Sequence, residues 1–245
     1  MDNANNWEWF QEQASALGVP VTDEQRDRFQ RFHELLLDGN TRANLTRIVD
    51  ERDAILKHYL DALLFLKMVP DDMHDRPIRF IDVGTGPGIP GIPMLIMRPH
   101  WRGTLLDSVG KKVSFMKEAA EALGLTGAQP THGRAEELAQ TAGHREAYDL
   151  GMARAVSAMP ELLELVLPFV APKGCVVLSK GTKGPEELAS AKRALSLLQG
   201  AVTQDVKLLL PEEAGERFLY VIEKVGKTPK QYPRKPGEPH RKPLC

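Results

Sequence analysis

The sequence predicts an α/β fold: a seven-stranded, mostly parallel sheet with helices on both faces, behind a helical N-terminal extension. Three observations predict it. From Ile78 onward, short apolar runs alternate with helical patterns, as strands joined by crossover helices do. The first of these runs ends in a glycine cluster that opens a helix. The last two runs follow each other with no helix between them, so the final strand should be antiparallel.

The elements follow in order. Thr22 and Gln25 form a capping box, and Phe29, Phe32, Leu35 and Leu36 then recur at helical spacing. Asp38-Gly39-Asn40 is expected to end that helix. A second helix should run from about Asp50 to Met68 with Ile55, Tyr59, Leu63 and Leu66 on one face, before a connector at Pro70–Asp72 and Arg76-Pro77. The expected strands are Arg79–Val83, Gly103–Asp107, Ala128–His132, Tyr148–Ala153, Cys175–Ser179, Ala201–Leu210 and Arg217–Lys224. Helices should lie between the first six, at Ile89–Arg98, Lys111–Leu123, Arg134–Thr141, Met159–Val170 and Pro185–Gln199. The last nineteen residues hold five prolines and no helical pattern, which reads as a tethered tail. The expected units are therefore 1–76, 77–226 and 227–245.

With 245 residues and 42% hydrophobic composition, the chain can bury a full core. Its net charge of −1 excludes adhesion to nucleic acid by bulk attraction. The charge is uneven, however. Residues 1–76 carry 15 acids and 9 bases, whereas 227–245 carry 6 bases against Glu238. A basic end on an acidic-to-neutral chain points to a local anionic partner. Two cysteines, Cys175 and Cys245, exclude a disulfide framework and a structural zinc site, and suit a reducing cytoplasm. The start lacks the pattern of a secretion signal, and the longest uncharged stretch, Val83–Met97, is broken by four glycines and three prolines. A soluble cytoplasmic protein is expected, with no membrane partner.

The chemistry concentrates after the first strand, in Asp82-Val83-Gly84-Thr85-Gly86-Pro87-Gly88-Ile89-Pro90-Gly91. Glycines there allow a tight turn and close approach of a ligand to the backbone. Gly86-x-Gly88-x-x-Gly91 satisfies the dinucleotide fingerprint. Gly84-x-Gly86-x-Gly88 behind Asp82 looks instead like the first motif of the S-adenosylmethionine (AdoMet) methyltransferases. A buried carboxylate suits the cationic amino group of AdoMet and would repel a pyrophosphate. Asp107 ends the second strand, where a carboxylate accepts from both hydroxyls of a ribose; it would equally suit a helix cap. Ala135-Glu136 follows the third strand, where methyltransferases of this architecture usually meet adenine.

Taken together, the chain resembles the bacterial small-subunit ribosomal RNA methyltransferases known as glucose-inhibited division protein B. The likeness runs through Asn44-Leu45-Thr46, His58-Tyr59-Leu60-Asp61, Phe80–Pro93, Leu105–Ser108 with Gly110-Lys111-Lys112, Ala153-Arg154-Ala155 and Lys180-Gly181. It closes on Lys227-Thr228-Pro229, Tyr232-Pro233-Arg234-Lys235 and Gly237-x-Pro239-x-Arg241-x-Pro243-Leu244. Arg241 and Ala62 depart mildly from the usual lysine and serine. The resemblance implies a Rossmann-like methyltransferase fold, AdoMet as cofactor, and methylation of N7 of a guanine in the helix 18 loop of 16S rRNA. It also implies cofactor contacts at Gly84, Ile89, Asp107-Ser108-Val109, Ala135-Glu136 and Arg154.

What the sequence lacks narrows the reaction. Ala153-Arg154-Ala155-Val156 stands where adenine amino-methyltransferases carry an Asn/Asp-Pro-Pro-aromatic run, and neither cysteine sits where a pyrimidine-attacking nucleophile would. Guanine N7 already holds a nucleophilic lone pair, so transfer needs alignment rather than a general base. The seven histidines are scattered, and no metal is expected. A nicotinamide-dependent oxidoreductase and a non-catalytic rRNA-binding assembly protein stand as the alternatives. Contacts to 16S rRNA, in the small subunit or an assembly intermediate, are expected from Lys111, Lys112, Lys180 and Lys183. Further contacts are expected from the tail, at Lys230, Arg234, Lys235, Arg241 and Lys242, with Tyr232 as a stacking surface. A monomer is expected.

Overall fold

The structure, a computed structural model, describes residues 6–154 and 156–245. Its strands are β1 (Arg79–Val83), β2 (Arg102–Asp107), β3 (Ala128–His132), β4 (Tyr148–Arg154), β5 (Val170–Lys180), β6 (Gly200–Leu209) and β7 (Glu216–Lys224). They form one seven-stranded sheet in the order β3-β2-β1-β4-β5-β7-β6. The first five pair in parallel, and β7 runs antiparallel to both β5 and β6, as the missing crossover helix demands. The strand order reverses between β1 and β4, so a crevice opens beyond their carboxyl ends.

Adjacent residues on each strand point to opposite faces and so feed different cores. Phe80, Leu105 and Val177 join the N-terminal helices α1 (Asn6–Ala16), α2 (Asp23–Ala43), α3 (Glu51–Ala54) and α4 (Asp61–Met68) in one core. After the short α5 (Asp71–His74), the same face is completed by α6 (Gly91–Met97) and α7 (Gly110–Ala122). Ile81, Leu106 and Val176 face the other core, under α8 (Ala135–Leu138), α9 (Met159–Val166), α10 (Gly184–Ser190) and α11 (Lys192–Leu198).

Several boundaries differ from the sequence reading, for physical reasons. Gly39 does not end α2: a Cβ there would lie 2.5 Å from the Phe115 ring, so glycine serves close packing inside the helix. The helix stops at Asn44, which takes the left-handed conformation with φ 48°. The second helix is interrupted between α3 and α4 by a π-helical stretch, Ile55–Leu60, of the kind that often marks functional sites. Pro168 closes α9 early in a 3₁₀ turn, Leu167–Phe169, and β5 therefore starts at Val170.

The tail needs the largest correction. Residues 227–245 are folded onto the second core and end in a short helix, α12 (Glu238–Arg241), with Tyr232 and Leu244 buried. The Arg145 guanidinium donates to the carbonyls of Tyr232, Thr228 and Pro229 at 2.8, 2.9 and 3.2 Å. Its prolines and charges had suggested a solvated segment, but side-chain donors from the body satisfy its backbone.

Candidate active site

At the end of β1, Asp82 is fully buried and its Oδ2 accepts from Thr85 Oγ1 at 2.5 Å and from the Gly91 amide at 2.8 Å. It thereby ties the glycine turn to the start of α6. Burial pushes its carboxyl up to about 6, against the hydrogen bonds from Thr85 and Gly91. Its Oδ1 is buried with no partner among the described residues. Gly84, Gly86 and Gly88 all lie at positive φ, 68°, 63° and 96°, which side chains rarely adopt. The Gly86 amide donates to Asp107 Oδ2 at 2.9 Å, and the Val109 amide donates to Asp107 Oδ1 at 2.8 Å. Asp107 thus organises two turns at once, and neither bond caps α7, whose N-cap is Val109.

These turns border a cavity of about 200 Å³ beyond β1 and β2. It gathers Gly84, Asp107, Ser108, Ala135 and Glu136, five of the residues expected to hold the cofactor. Gly88 and Ile89 form the bend into α6, with Ile89 buried, and Val109 stands exposed beyond Ser108. The tail supplies part of the wall: His240 lines the cavity and its Nδ1 lies 3.2 Å from Glu161 Oε2, while Glu136 Oε1 accepts from the Gly237 amide at 3.0 Å.

Arg154 lies elsewhere. It lines a second, larger cavity of about 630 Å³ with Lys57, His58, Asp61, Lys180 and Arg217. Val156 borders both cavities, and its Cγ2 would be 2.7 Å from a Cβ on Gly84. Asp61, nearly buried, accepts from Arg154 Nη1 at 3.0 Å and from Arg217 Nε at 2.6 Å. His58 Nε2 lies 3.0 Å from Thr46 Oγ1, and burial with the Arg154 charge lowers its pKa to about 4. It is therefore neutral near pH 7. Lys180 is buried in an ion pair with Glu187 at 2.8 Å and also bonds the Ser157 carbonyl, so it is not a free phosphate ligand.

The other expected RNA contacts divide in the same way. Lys111 at the start of α7, Lys183 before α10, and Lys230, Lys235, Arg241 and Lys242 on the tail are exposed, while Lys112 is half-buried. Tyr232 is buried and offers no stacking face, and Arg234 is engaged by the buried Glu164.

Comparison with known proteins now decides the reading. Residues 25–214 match the family rRNA small subunit methyltransferase G. Two relatives named Ribosomal RNA small subunit methyltransferase G, from Staphylococcus aureus strains JH9 and Newman, are 41% and 42% identical over 97% of this chain and 98% of their own. The chain belongs to the rRNA small subunit methyltransferase G family. It is an AdoMet-dependent methyltransferase, and the nicotinamide and non-catalytic alternatives fall away. Solved structures agree on the fold. A SAM-dependent methyltransferase from Aquifex aeolicus superposes with a TM-score of 0.53 at 17% identity, covering 70% of this chain and 93% of that one. TrmN from Thermus thermophilus gives 0.52 at 20% identity, covering 68% and 48%.

The residues present fit AdoMet. The orphaned Asp82 Oδ1 lies beside the glycine turn, and a Cβ built on Gly86 meets nothing within 4 Å, leaving room for a ligand against the turn. Asp61, His58 and Arg217 were absent from the expected site. The first two stand in a motif that carried the family likeness, and Arg217 had no signal at all, since it meets Asp61 across 156 positions of sequence.

Proposed function

We propose that this chain methylates N7 of a guanine in the helix 18 loop of 16S rRNA by positioning alone, without a general base. The observation that carries this reading is the pair of cavities meeting at Val156, one beside the glycine turn and one lined by cations. Bound AdoMet supplies an electrophilic sulfonium methyl. The chain's own residues align a base with it and exclude water.

Each histidine or carboxylate that lines the larger cavity is either paired with a cation or only weakly basic. His58 is held neutral with a low pKa, Asp61 is shared by two arginines, and Glu187 is paired with Lys180. N7 chemistry tolerates this, because the attacking lone pair carries no proton. Arg154 serves the substrate side, through the larger cavity. Asp82, Gly84, Gly86, Gly88, Ile89, the 107–109 turn and 135–136 serve the cofactor. Lys111, Lys112, Lys183 and the exposed tail cations position RNA phosphates. One copy contributes both cavities, which supports action as a monomer, in the cytoplasm where the rRNA resides.

The test is transfer of labelled methyl groups from AdoMet to naked 16S rRNA, an assembly intermediate and the finished subunit. Mapping then locates the modified atom. Label at N7 of one helix 18 guanine is the expected result. Label on an exocyclic amine or a ribose hydroxyl overturns it, since both need a proton removed.

A further inference from the structure

We propose that Glu187 is the specificity-determining residue that reads the Watson–Crick edge of the target guanine in the larger cavity. The inference rests on the N7 reading above and deepens it.

Glu187, on α10, lines that cavity with its side chain one-quarter exposed. Its two oxygens are used unequally. Oε2 accepts from the Met159 amide at 2.9 Å and pairs with the Lys180 ammonium at 2.8 Å. Oε1 has no hydrogen-bond partner among the described residues, so a residue that lines the cavity keeps one carboxylate oxygen free to accept.

Guanine is the base that matches such a group. When its N7 faces a methyl donor, its N1–H and N2–H₂ donors lie on the far side of the purine. A single carboxylate oxygen can accept from both. Adenine has an acceptor at N1 and would meet Oε1 with like polarity. A second group supports a polar ligand here: Ser157, which also lines the cavity, has a buried hydroxyl without a partner. The cations Lys57, Arg154, Lys180 and Arg217 outnumber the carboxylates Asp61 and Glu187, which suits a nucleotide bearing phosphate.

Glu187 has a structural duty as well. With Lys180 it grips the loop after β4 at the Met159 amide and the Ser157 carbonyl, next to Val156. A test must separate reading from pinning. RNA carrying guanosine at the target position is compared with RNA carrying inosine, which keeps N7 and N1–H but lacks the N2 amine. Glu187→Gln keeps an oxygen for Met159 and Lys180, yet turns an NH₂ toward the base donors. Glu187→Asp keeps the charge.

Wild type should prefer guanosine RNA over inosine RNA in kcat/KM. Hydrogen bonds to charged groups are strong enough for roughly a tenfold to hundredfold preference. Glu187→Gln should bring that ratio close to one, mainly by losing activity on guanosine RNA, and Glu187→Asp should restore part of it. AdoMet affinity, measured on the same samples, should stay near wild type. Glu187→Gln should lower the melting temperature because the buried Lys180 loses its counter-charge, so the guanosine-to-inosine ratio is read at a temperature where each variant is folded. Equal loss on both RNAs, or a wild type indifferent to the N2 amine, overturns the inference and leaves the N7 reading standing. Wild-type label at an atom other than N7 removes both.

Discussion

Arg234 donates from its backbone amide and its Nε to Oε1 of Glu164, at 2.8 and 2.9 Å, and from Nη2 to Oε2 at 2.6 Å. Glu164 is completely buried, and Arg234 belongs to the segment whose composition suggested a free, RNA-gripping tail. The Arg234 pKa is raised, first by this hydrogen bond and then by the Glu164 charge, against desolvation. The tail is thus part of the fold, and it reaches the smaller cavity through Gly237 and His240.

Removing the arginine leaves a buried carboxylate without its cation. Arg234→Ala should lower unfolding free energy by about 3 kcal/mol, read from the midpoint of a urea titration. Truncation after Gly226 should lower melting temperature and AdoMet affinity together, because Glu136 and Glu161 lose their tail partners at the cavity wall. A truncated protein that melts and binds AdoMet like the full chain contradicts this.

Phosphate contacts are better tested by charge than by truncation. Lys230, Lys235, Arg241 and Lys242 are exposed and outside the ion pairs that hold the tail. Changing all four to glutamine should leave melting temperature and AdoMet binding unchanged. It should flatten the slope of log affinity for RNA against log salt by about two to three units. An identical slope in the variant and wild type removes these side chains from the RNA interface.

The glycine turn was legible because its physics is local: positive φ at three alternate positions requires glycine, and the spacing shows in a short window. Asp82 and Asp107 were singled out because strand ends carry ligands in such sheets, and both carboxylates bind the glycine turn. Arg154 was singled out at its strand end, but sequence does not show which way such a side chain turns, and here it lines the larger of the two adjoining cavities. Its partner Asp61 lies 93 residues earlier, in a motif that carried the family likeness but gave no sign of this contact. The tail was misread for a related reason. A buried Arg–Glu pair leaves the same composition as a solvated one, and Tyr232, expected as a stacking surface, is buried in the core together with Leu244.

Asp107 organises two turns and is proposed to hold the ribose as well, and one experiment separates these roles. Asp107→Ala frees the Gly86 and Val109 amides as well as any ribose hydroxyls. AdoMet affinity should fall by roughly a hundredfold, at the upper end for losing charge-assisted bonds. An AdoMet analogue lacking a ribose hydroxyl should bind wild type about tenfold more weakly than AdoMet. The variant should hardly distinguish the two. Equal discrimination by variant and wild type would restrict Asp107 to shaping the turns.

The pH dependence of stability tests the buried groups on either side of Val156. Asp82 has a folded pKa raised by burial to about 6 from 3.8, so the folded state holds its proton more tightly than the unfolded chain. Its contribution is fully present below about pH 4 and is lost as pH rises through 6. His58 behaves oppositely: burial lowers its folded pKa to about 4 from 6.5, so its contribution is present above pH 6.5 and lost as pH falls through 4. Between about pH 4 and 6 the two oppose each other, and together they give wild type little slope from this pair. Asp82→Asn keeps an oxygen for Thr85 and Gly91 but no longer titrates, which exposes the His58 term. Relative to wild type, its unfolding free energy should decline more steeply as pH falls from 6 to 4, by roughly 1 kcal/mol per pH unit. Parallel stability curves for the two proteins, measured by urea unfolding at each pH, would mean that Asp82 titrates at its ordinary pKa and stays charged beneath the glycine turn.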